Sequence, residues 1–96
     1  MNITKKVNGE TMTVSIKGRL DTSTAPEFET FMNENLTEVG GLILDCEGLE
    51  YISSAGLRVL LFAQKKMKDS LKLVNVGELI MEVFDITGFS DILTIE

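Results

Sequence analysis

The stretch from Leu42 to Leu61 (LILDCEGLEYISSAGLRVLL) constrains the fold of this chain more than any other. It opens with the apolar run Leu42-Ile43-Leu44, crosses a polar turn and closes on a segment with helical apolar spacing. A short apolar run bounded by turn residues predicts a central strand over Leu42–Cys46, buried on both faces. Glu47–Ile52 reads as a connection, followed by a helix from about Ser54 to Lys68. At the join stand Ser53, Ser54, Ala55 and Gly56. The first turn of a helix leaves several backbone N–H groups without an intrahelical partner and carries the positive pole of the macrodipole. Strand-to-helix joins with small residues are also where α/β domains present chemistry to solvent.

The flanking sequence completes an α/β pattern. Residues 2–8 and 10–17 surround Asn8-Gly9, a strong signal for a two-residue hairpin turn whose central positions need positive φ. In the second of these segments Met12, Val14 and Ile16 alternate with Thr11, Thr13, Ser15 and Lys17, which predicts a half-buried strand. Gly18-Arg19-Leu20-Asp21 then leads out of it. Thr24 with Glu27 three residues on has the pattern of a capping box, and Pro26 suits a first helical turn. Phe28, Phe31, Met32, Leu36 and Val39 fall near a period of 3.6 and predict one buried helix face, with Gly40-Gly41 ending the helix. Leu71–Val76 reads as another parallel strand. Leu79, Ile80, Val83, Phe84 and Ile86 lie at helical spacing, Gly88 stops that helix, and residues 92–95 read as a final short strand. The predicted order is β-β-α-β-α-β-α-β: one α/β domain over residues 1–96, with a mixed, mainly parallel sheet, an N-terminal hairpin and three helices.

Composition excludes several functions. The net charge of −6 argues against a nucleic-acid footprint, which needs clustered Lys and Arg. Lys65, Lys66 and Lys68 form the only basic cluster and fit the solvated end of a helix. The single cysteine, Cys46, has no disulfide partner and no second thiol for a metal site, so it reads as a buried structural thiol. There is no histidine, which removes Ser-His-Asp and Cys-His mechanisms and imidazole-based zinc sites. No metal or cofactor is expected. The first residues lack the apolar core of a signal peptide, and no apolar run approaches the roughly 20 residues of a membrane span. A cytoplasmic protein is the expectation.

Candidate chemistry narrows to a few side chains. Neither GxxxxGK[ST] nor GxGxxG occurs after a strand, so nucleotide binding has no sequence support. Asp21 and Asp45 both follow strands, and their convergence on a receiver-like carboxylate pair is geometrically possible. Otherwise Asp45 is a strand-end turn residue, and Asp21 is a loop residue accepting hydrogen bonds from nearby N–H groups. Ser53 is a good N-cap, which accounts for it structurally. Ser54 then falls at the first helical position, where no capping duty applies. A phosphate there would meet orphan N–H donors and the helix dipole, and Arg58, four residues on, could reach back to pair with it.

These residues carry a resemblance to a known family. Gly18-Arg19-Leu20-Asp21, the apolar strand ending in Asp45, Leu49–Leu57 (LEYISSAGL) and Thr87-Gly88-Phe89 together resemble the bacterial STAS domain, specifically the single-domain anti-sigma factor antagonists. The resemblance covers nearly the whole chain. In that family the segment resembling Ser53–Leu57 usually reads Asp-Ser-(Ser/Thr/Ala)-Gly-(Leu/Ile), so Ser53 stands where Asp is frequent and Ala55 where a second hydroxyl is frequent. Many relatives continue into a further C-terminal helix, so one sheet edge or face is expected to be less covered here.

The resemblance implies a binding protein, not an enzyme. Its phosphoacceptor would be Ser54, modified by an anti-sigma factor that is also a serine kinase. The dephosphorylated antagonist would sequester that kinase and so release a sigma factor, and a serine phosphatase would reset it. Asp21, Thr22, Ser53, Ala55, Gly56 and Arg58 would form the docking surface around Ser54. Other members of the family are non-switching scaffolds or accessory subunits of transport and signalling complexes, which is the alternative reading. Neither reading involves nucleic acid or membrane insertion.

Overall fold

Two strands, Asn2–Asn8 (β1) and Thr11–Leu20 (β2), form the antiparallel hairpin that starts the chain. They belong to a computed structural model that describes residues 1–37 and 39–96. The remaining elements are α1 (Ala25–Asn35), β3 (Gly41–Asp45), β4 (Leu49–Ile52), α2 (Ser54–Met67), β5 (Leu71–Val74) and α3 (Glu78–Thr87). The result is a single α/β layer pair with a five-stranded mixed sheet and three helices, in the class expected from the sequence pattern.

The hairpin turn sits one residue later than Asn8-Gly9. Asn8 pairs with Thr11, so Gly9 and Glu10 are the central residues, and of the two only Gly9 has positive φ, at 64°. That is the arrangement of a type II′ turn, which asks for glycine at its first central position alone. The turn also anchors the start of β3, because the N–H groups of Gly40 and Gly41 both donate to the Glu10 carbonyl, at 2.7 and 3.1 Å.

β2 is the spine of the sheet. Along one edge it pairs with β1, and along the other it carries β3 and β4 one after the other, both parallel to it. Thr11–Ser15 match Gly41–Asp45, and Gly18–Leu20 match Leu49–Ile52. The register shifts between Gly18 and Arg19, where Gly18 has a φ of 100° and donates to the Gly48 carbonyl at 2.9 Å. This bulge allows β2 to run on to Leu20, past the point where the alternation of residues 11–17 stops. Glu47–Ile52 is therefore more than a connection, since its second half is β4.

Buried residues lie on one face of the sheet. Met12, Val14, Ile16, Leu42, Leu44, Leu71 and Leu73 are buried, whereas Thr13, Ser15, Ile43 and Asp45 between them are only half-buried and Lys72 is exposed. β3 is thus not a strand covered on both faces. The register explains the difference, because Ile43 lies between Thr13 and Lys72 on the open face. Phe28 and Met32 of α1, Leu57, Leu60 and Ala63 of α2, and Ile80 and Phe84 of α3 complete one core with the covered face.

Three chain segments depart from their predicted form. Helix α1 stops at Asn35, before Gly40-Gly41, and Val39 packs on the core from beyond the helix end. On α3, Ile80 and Phe84 are buried and Val83 packs against the core, but Leu79 and Ile86 are 70% and 85% exposed, so three of the five expected residues face the core. The final strand reduces to one parallel bridge between Leu73 and Ile95, after a short 3-10 turn over residues 89–91. That bridge runs along the outer edge of β5.

Candidate functional site

The site begins where β2 and β4 end side by side. Leu20 pairs with Ile52, and the N–H of Ser53 donates to the Leu20 carbonyl at 2.9 Å. The next residues, Asp21 on one chain segment and Ser54 on the other, therefore leave the sheet from adjacent positions.

On the β2 side, Asp21 organises a tight loop into α1. Its carboxylate accepts from the Ser23 hydroxyl at 2.8 Å, the Ser23 N–H at 3.0 Å and the Thr24 N–H at 3.2 Å. These bonds, the Ser23 hydroxyl foremost, together outweigh the opposing effect of desolvation and hold the Asp21 pKa down at about 2. Thr24 does not form the predicted capping box. Its hydroxyl accepts from the Asp21 N–H at 2.8 Å and donates to the Arg19 carbonyl at 2.7 Å, so it faces the strand end and not the helix. Thr22 is exposed on the same loop.

On the β4 side, Ser53 has extended backbone angles (φ −102°, ψ 177°), and its Oγ accepts from the Gly56 N–H at 3.5 Å. It is the N-cap of α2, through a long hydrogen bond. Ser54 is the first helical residue and is exposed, and its hydroxyl has no hydrogen-bond partner among the described residues. The N–H groups of Ser54 and Ala55 likewise have no partner among the described residues.

Gly56 is buried, so it is not part of a surface that a partner can touch. Its role is positional. A Cβ there would lie 2.7 Å from Leu20 Cγ and 2.9 Å from both Ile52 Cγ1 and the Leu20 carbonyl oxygen. Only glycine lets the first turn of α2 press this closely onto the strand ends. Arg58 lies one turn beyond Ser54, exposed and without an ion pair among the described residues. A cleft of about 210 Å³ between α1 and α2 brings together Thr22, Ala25, Pro26, Glu29, Ala55, Arg58 and Val59.

Two further side chains belong to this surface without having been predicted. The Arg19 guanidinium lies 4.1 Å from the centre of the Tyr51 ring, and its Nε is 3.5 Å from Asp21 Oδ2. The pairing of Arg19 with Tyr51 across β2 and β4 creates this stack. Its sequence signal depends on recognising β4 as a strand, and a four-residue strand after a glycine turn has too little periodicity for that.

Other candidates fall away. Asp45 is level with Ser15 on β2, and Asp21 lies six residues further along, so the two carboxylates are about 20 Å apart at about 3.3 Å per residue. They cannot share a metal or a phosphoryl group. Asp45 instead accepts from the Asn75 side chain at 3.0 Å and from the Glu47 N–H at 3.1 Å. The Cys46 thiol is buried, and burial, helped by the neighbouring Asp45 charge, pushes its pKa up to about 12. No cluster of three metal-ligating side chains occurs among the described residues. No helix among them is long and apolar enough to cross a membrane.

Comparison with known proteins identifies the family and the fold. The family model of the STAS domain matches residues 2–96, and the chain belongs to that family. It is 32% identical to the anti-sigma-B factor antagonist of Bacillus subtilis over 98 aligned residues, which cover 99% of this chain and 90% of that protein. An anti-sigma factor antagonist from Mycobacterium paratuberculosis has the same fold, with a TM-score of 0.88 at 21% identity over 98% of this chain and 83% of that one. The anti-sigma factor antagonist SpoIIAA in its unphosphorylated form gives 0.83 at 18% identity, over 99% and 88% of the two chains. The Bacillus cell fate determinant SpoIIAA in its phosphorylated form gives 0.74 at 18% identity, over 99% and 91%.

Proposed function

We propose that this STAS-domain protein is a phosphorylation-controlled anti-sigma factor antagonist with Ser54 as its phosphoacceptor. The observation that carries the reading is the division of labour at the start of α2. Ser53 caps the helix, and the exposed Ser54 hydroxyl has no structural partner. Similarity along 99% of the chain to an anti-sigma-B factor antagonist supports the role, and SpoIIAA's existence in a phosphorylated form supports the mode of control.

In the reaction the chain is a substrate. The Ser54 Oγ attacks the γ-phosphorus of ATP held by a serine kinase that is itself the anti-sigma factor. The bond from that phosphorus to the β–γ bridging oxygen breaks, ADP leaves, and the hydroxyl proton passes to a base of the kinase. The phosphate then lies beside the unpartnered N–H groups of Ser54 and Ala55 and the positive end of α2, with Arg58 one turn away. It adds a charge of about −1.5 to −2 next to Asp21, Thr22, Ser53 and Ala55, on a chain of net charge −6. The dephosphorylated surface binds the kinase in the cytoplasm and releases the sigma factor. The charged surface is rejected, and a serine phosphatase restores it by hydrolysis.

Nothing in the site supports catalysis by the chain itself. Its sequence holds no histidine, the Cys46 thiol is protonated, and the two strand-end aspartates are far apart. The test is to incubate the protein with ATP and each candidate anti-sigma serine kinase from the same genome, and to map the phosphate by mass spectrometry. Phosphate on Ser54, lost in Ser54→Ala, is expected; undiminished labelling of Ser54→Ala removes the assignment. Ser54→Asp should weaken kinase binding by about tenfold or more, the effect of about 1.4 kcal/mol. Unchanged affinity would instead make the protein a non-switching scaffold.

A further inference from the structure

We propose that Asn8, at the tip of the first hairpin, is a site of spontaneous modification. Its side chain closes on the Gly9 nitrogen to a succinimide, and hydrolysis leaves an isoaspartyl residue that loosens the start of β3. The turn itself does not call for asparagine here. Gly9 and Glu10 are its central residues, so the left-handed conformation falls on Gly9 (φ 64°), and Asn8 is the last residue of β1, paired with Thr11. Asparagine is a poor choice for an extended strand position.

Ring closure needs an asparagine amide carbon, a free backbone N–H on the next residue and room above the turn. Asn8 is exposed, and neither its side-chain amide nor the Gly9 N–H has a hydrogen-bond partner among the described residues. Nothing lies within 4 Å of the place a Gly9 Cβ would occupy, so the ring forms in open space. Glycine also brings the attacking nitrogen close to Cγ without a side chain in the way. The Gly9 nitrogen gives its proton to hydroxide and bonds to Asn8 Cγ. The Cγ–Nδ2 bond breaks, and the amide takes a proton from water and leaves as ammonia. Water then opens the imide. Attack at the former side-chain carbonyl gives aspartate, and attack at the backbone carbonyl gives isoaspartate, in which the chain runs on through Cβ and Cγ.

The site is selective within the chain. Asn8 is the one Asn or Asp in the sequence that glycine follows. Asn35 and Asn75 precede Leu36 and Val76, and their Nδ2 groups are tied to the Phe31 carbonyl at 2.7 Å and to Asp45 Oδ1 at 3.0 Å. Asn33 is exposed, but it precedes Glu34 inside α1, where the backbone N–H is committed to the helix.

Isoaspartate lengthens the backbone by one atom just before the turn and adds a negative charge to a chain of net charge −6. Loop length fixes the register of a hairpin, so the extra atom displaces Gly9 and Glu10. The Glu10 carbonyl accepts from Gly40 and Gly41 at 2.7 and 3.1 Å, and those bonds hold the start of β3. Aged molecules therefore differ from new ones at this corner. The Ser54 site is remote from it, because Thr11 and Leu20 lie at opposite ends of β2, about 30 Å apart at about 3.3 Å per residue.

The experiment ages the whole protein in warm, mildly alkaline buffer and maps its peptides by mass spectrometry. Methyl transfer from S-adenosylmethionine by an isoaspartyl carboxyl methyltransferase reads the isoaspartate. Asn8 should react at least about tenfold faster than Asn33, a barrier difference of about 1.4 kcal/mol or more. Asn8→Gln keeps an amide but forms only the slower glutarimide ring, so it should melt like wild type and accept no methyl group. In the isoaspartyl protein the Gly40 and Gly41 amides should exchange with deuterium about tenfold faster, and in aged Asn8→Gln they should not change. Equal reaction at Asn33 overturns the proposal. So does an Asn8 that stays intact in the native protein while it reacts in urea, since the folded turn then shields it. Unchanged exchange at Gly40 and Gly41 overturns the link to β3. Ser54 should be labelled equally in new and aged protein, so a failed kinase assay removes only the switch and an inert Asn8 removes only this site.

Discussion

The N–H of Ser53 donates to the carbonyl of Leu20 at 2.9 Å, joining the residue before α2 to the last residue of β2. That bond, one step past the Leu20–Ile52 pair, brings the Asp21 loop and the Ser54 helix start onto one surface although they are more than 30 positions apart in the chain. The same junction is where substitutions should be most informative.

Gly56→Ala should destabilise the domain by about 1–3 kcal/mol, because the new Cβ overlaps both the Leu20 side chain and its carbonyl oxygen. The helix propensity gained from alanine, about 1 kcal/mol, is too small to offset a clash with backbone. Thermal melts should show a fall of several degrees, at about 4–8 °C per kcal/mol for a domain of this size. A midpoint equal to or above wild type would show that the close approach is unimportant.

Ser53→Ala and Ser54→Ala should separate in urea denaturation. Losing the cap costs about 0.5–1 kcal/mol, at the low end because the Oγ contact is 3.5 Å. Removing the exposed Ser54 hydroxyl should change stability by less than about 0.5 kcal/mol. A larger loss at Ser54 than at Ser53 would reverse the roles assigned to the two serines.

Asp21 makes a pH-dependent contribution whose sign follows from its lowered pKa. The carboxylate titrates near 3.8 in the unfolded chain and at about 2 when folded, so its contribution is complete above pH 3.8. It is lost as pH falls through that window toward 2. Carbon-13 titration of the Asp21 carboxyl should give the low folded value. Asp21→Asn should flatten the acid limb of the urea midpoint against pH, and an unchanged limb would contradict the bonding to Ser23 and Thr24.

Cys46 should be silent to thiol reagents in the native state. Its thiol is buried and its pKa lies at about 12, so almost no thiolate exists at neutral pH. Dithionitrobenzoate should label it only after unfolding in guanidinium chloride. Fast labelling of the native protein would require that the end of β3 opens readily.

Patterns that repeat within a few residues were legible from the chain alone. The alternation of Met12, Val14 and Ile16, the stripe of Phe28 and Met32, and the capping position of Ser53 each follow from local geometry. So did the class of the fold, the placement of Ser54 at the first turn of a helix and its nearness to Asp21. The type II′ turn at Gly9-Glu10 was off by one residue, because glycine at the first central position satisfies it as well as Asn-Gly satisfies its alternative.

Three features came only from tertiary structure. β4 is recognisable as a strand because Gly18 bulges and lets β2 extend beside it, and that pairing alone creates the Arg19–Tyr51 stack. Thr24 carries a capping sequence, yet the strand end offers its hydroxyl the Arg19 carbonyl and the Asp21 N–H, and those partners win. Leu79 and Ile86 satisfy the helical period as well as Ile80 and Phe84 do, but periodicity does not say which face meets another element. Local propensity depends on neighbours along the chain and is written in the sequence. Register, burial and the choice between competing hydrogen bonds depend on residues brought together from far apart, and the packed structure decides them.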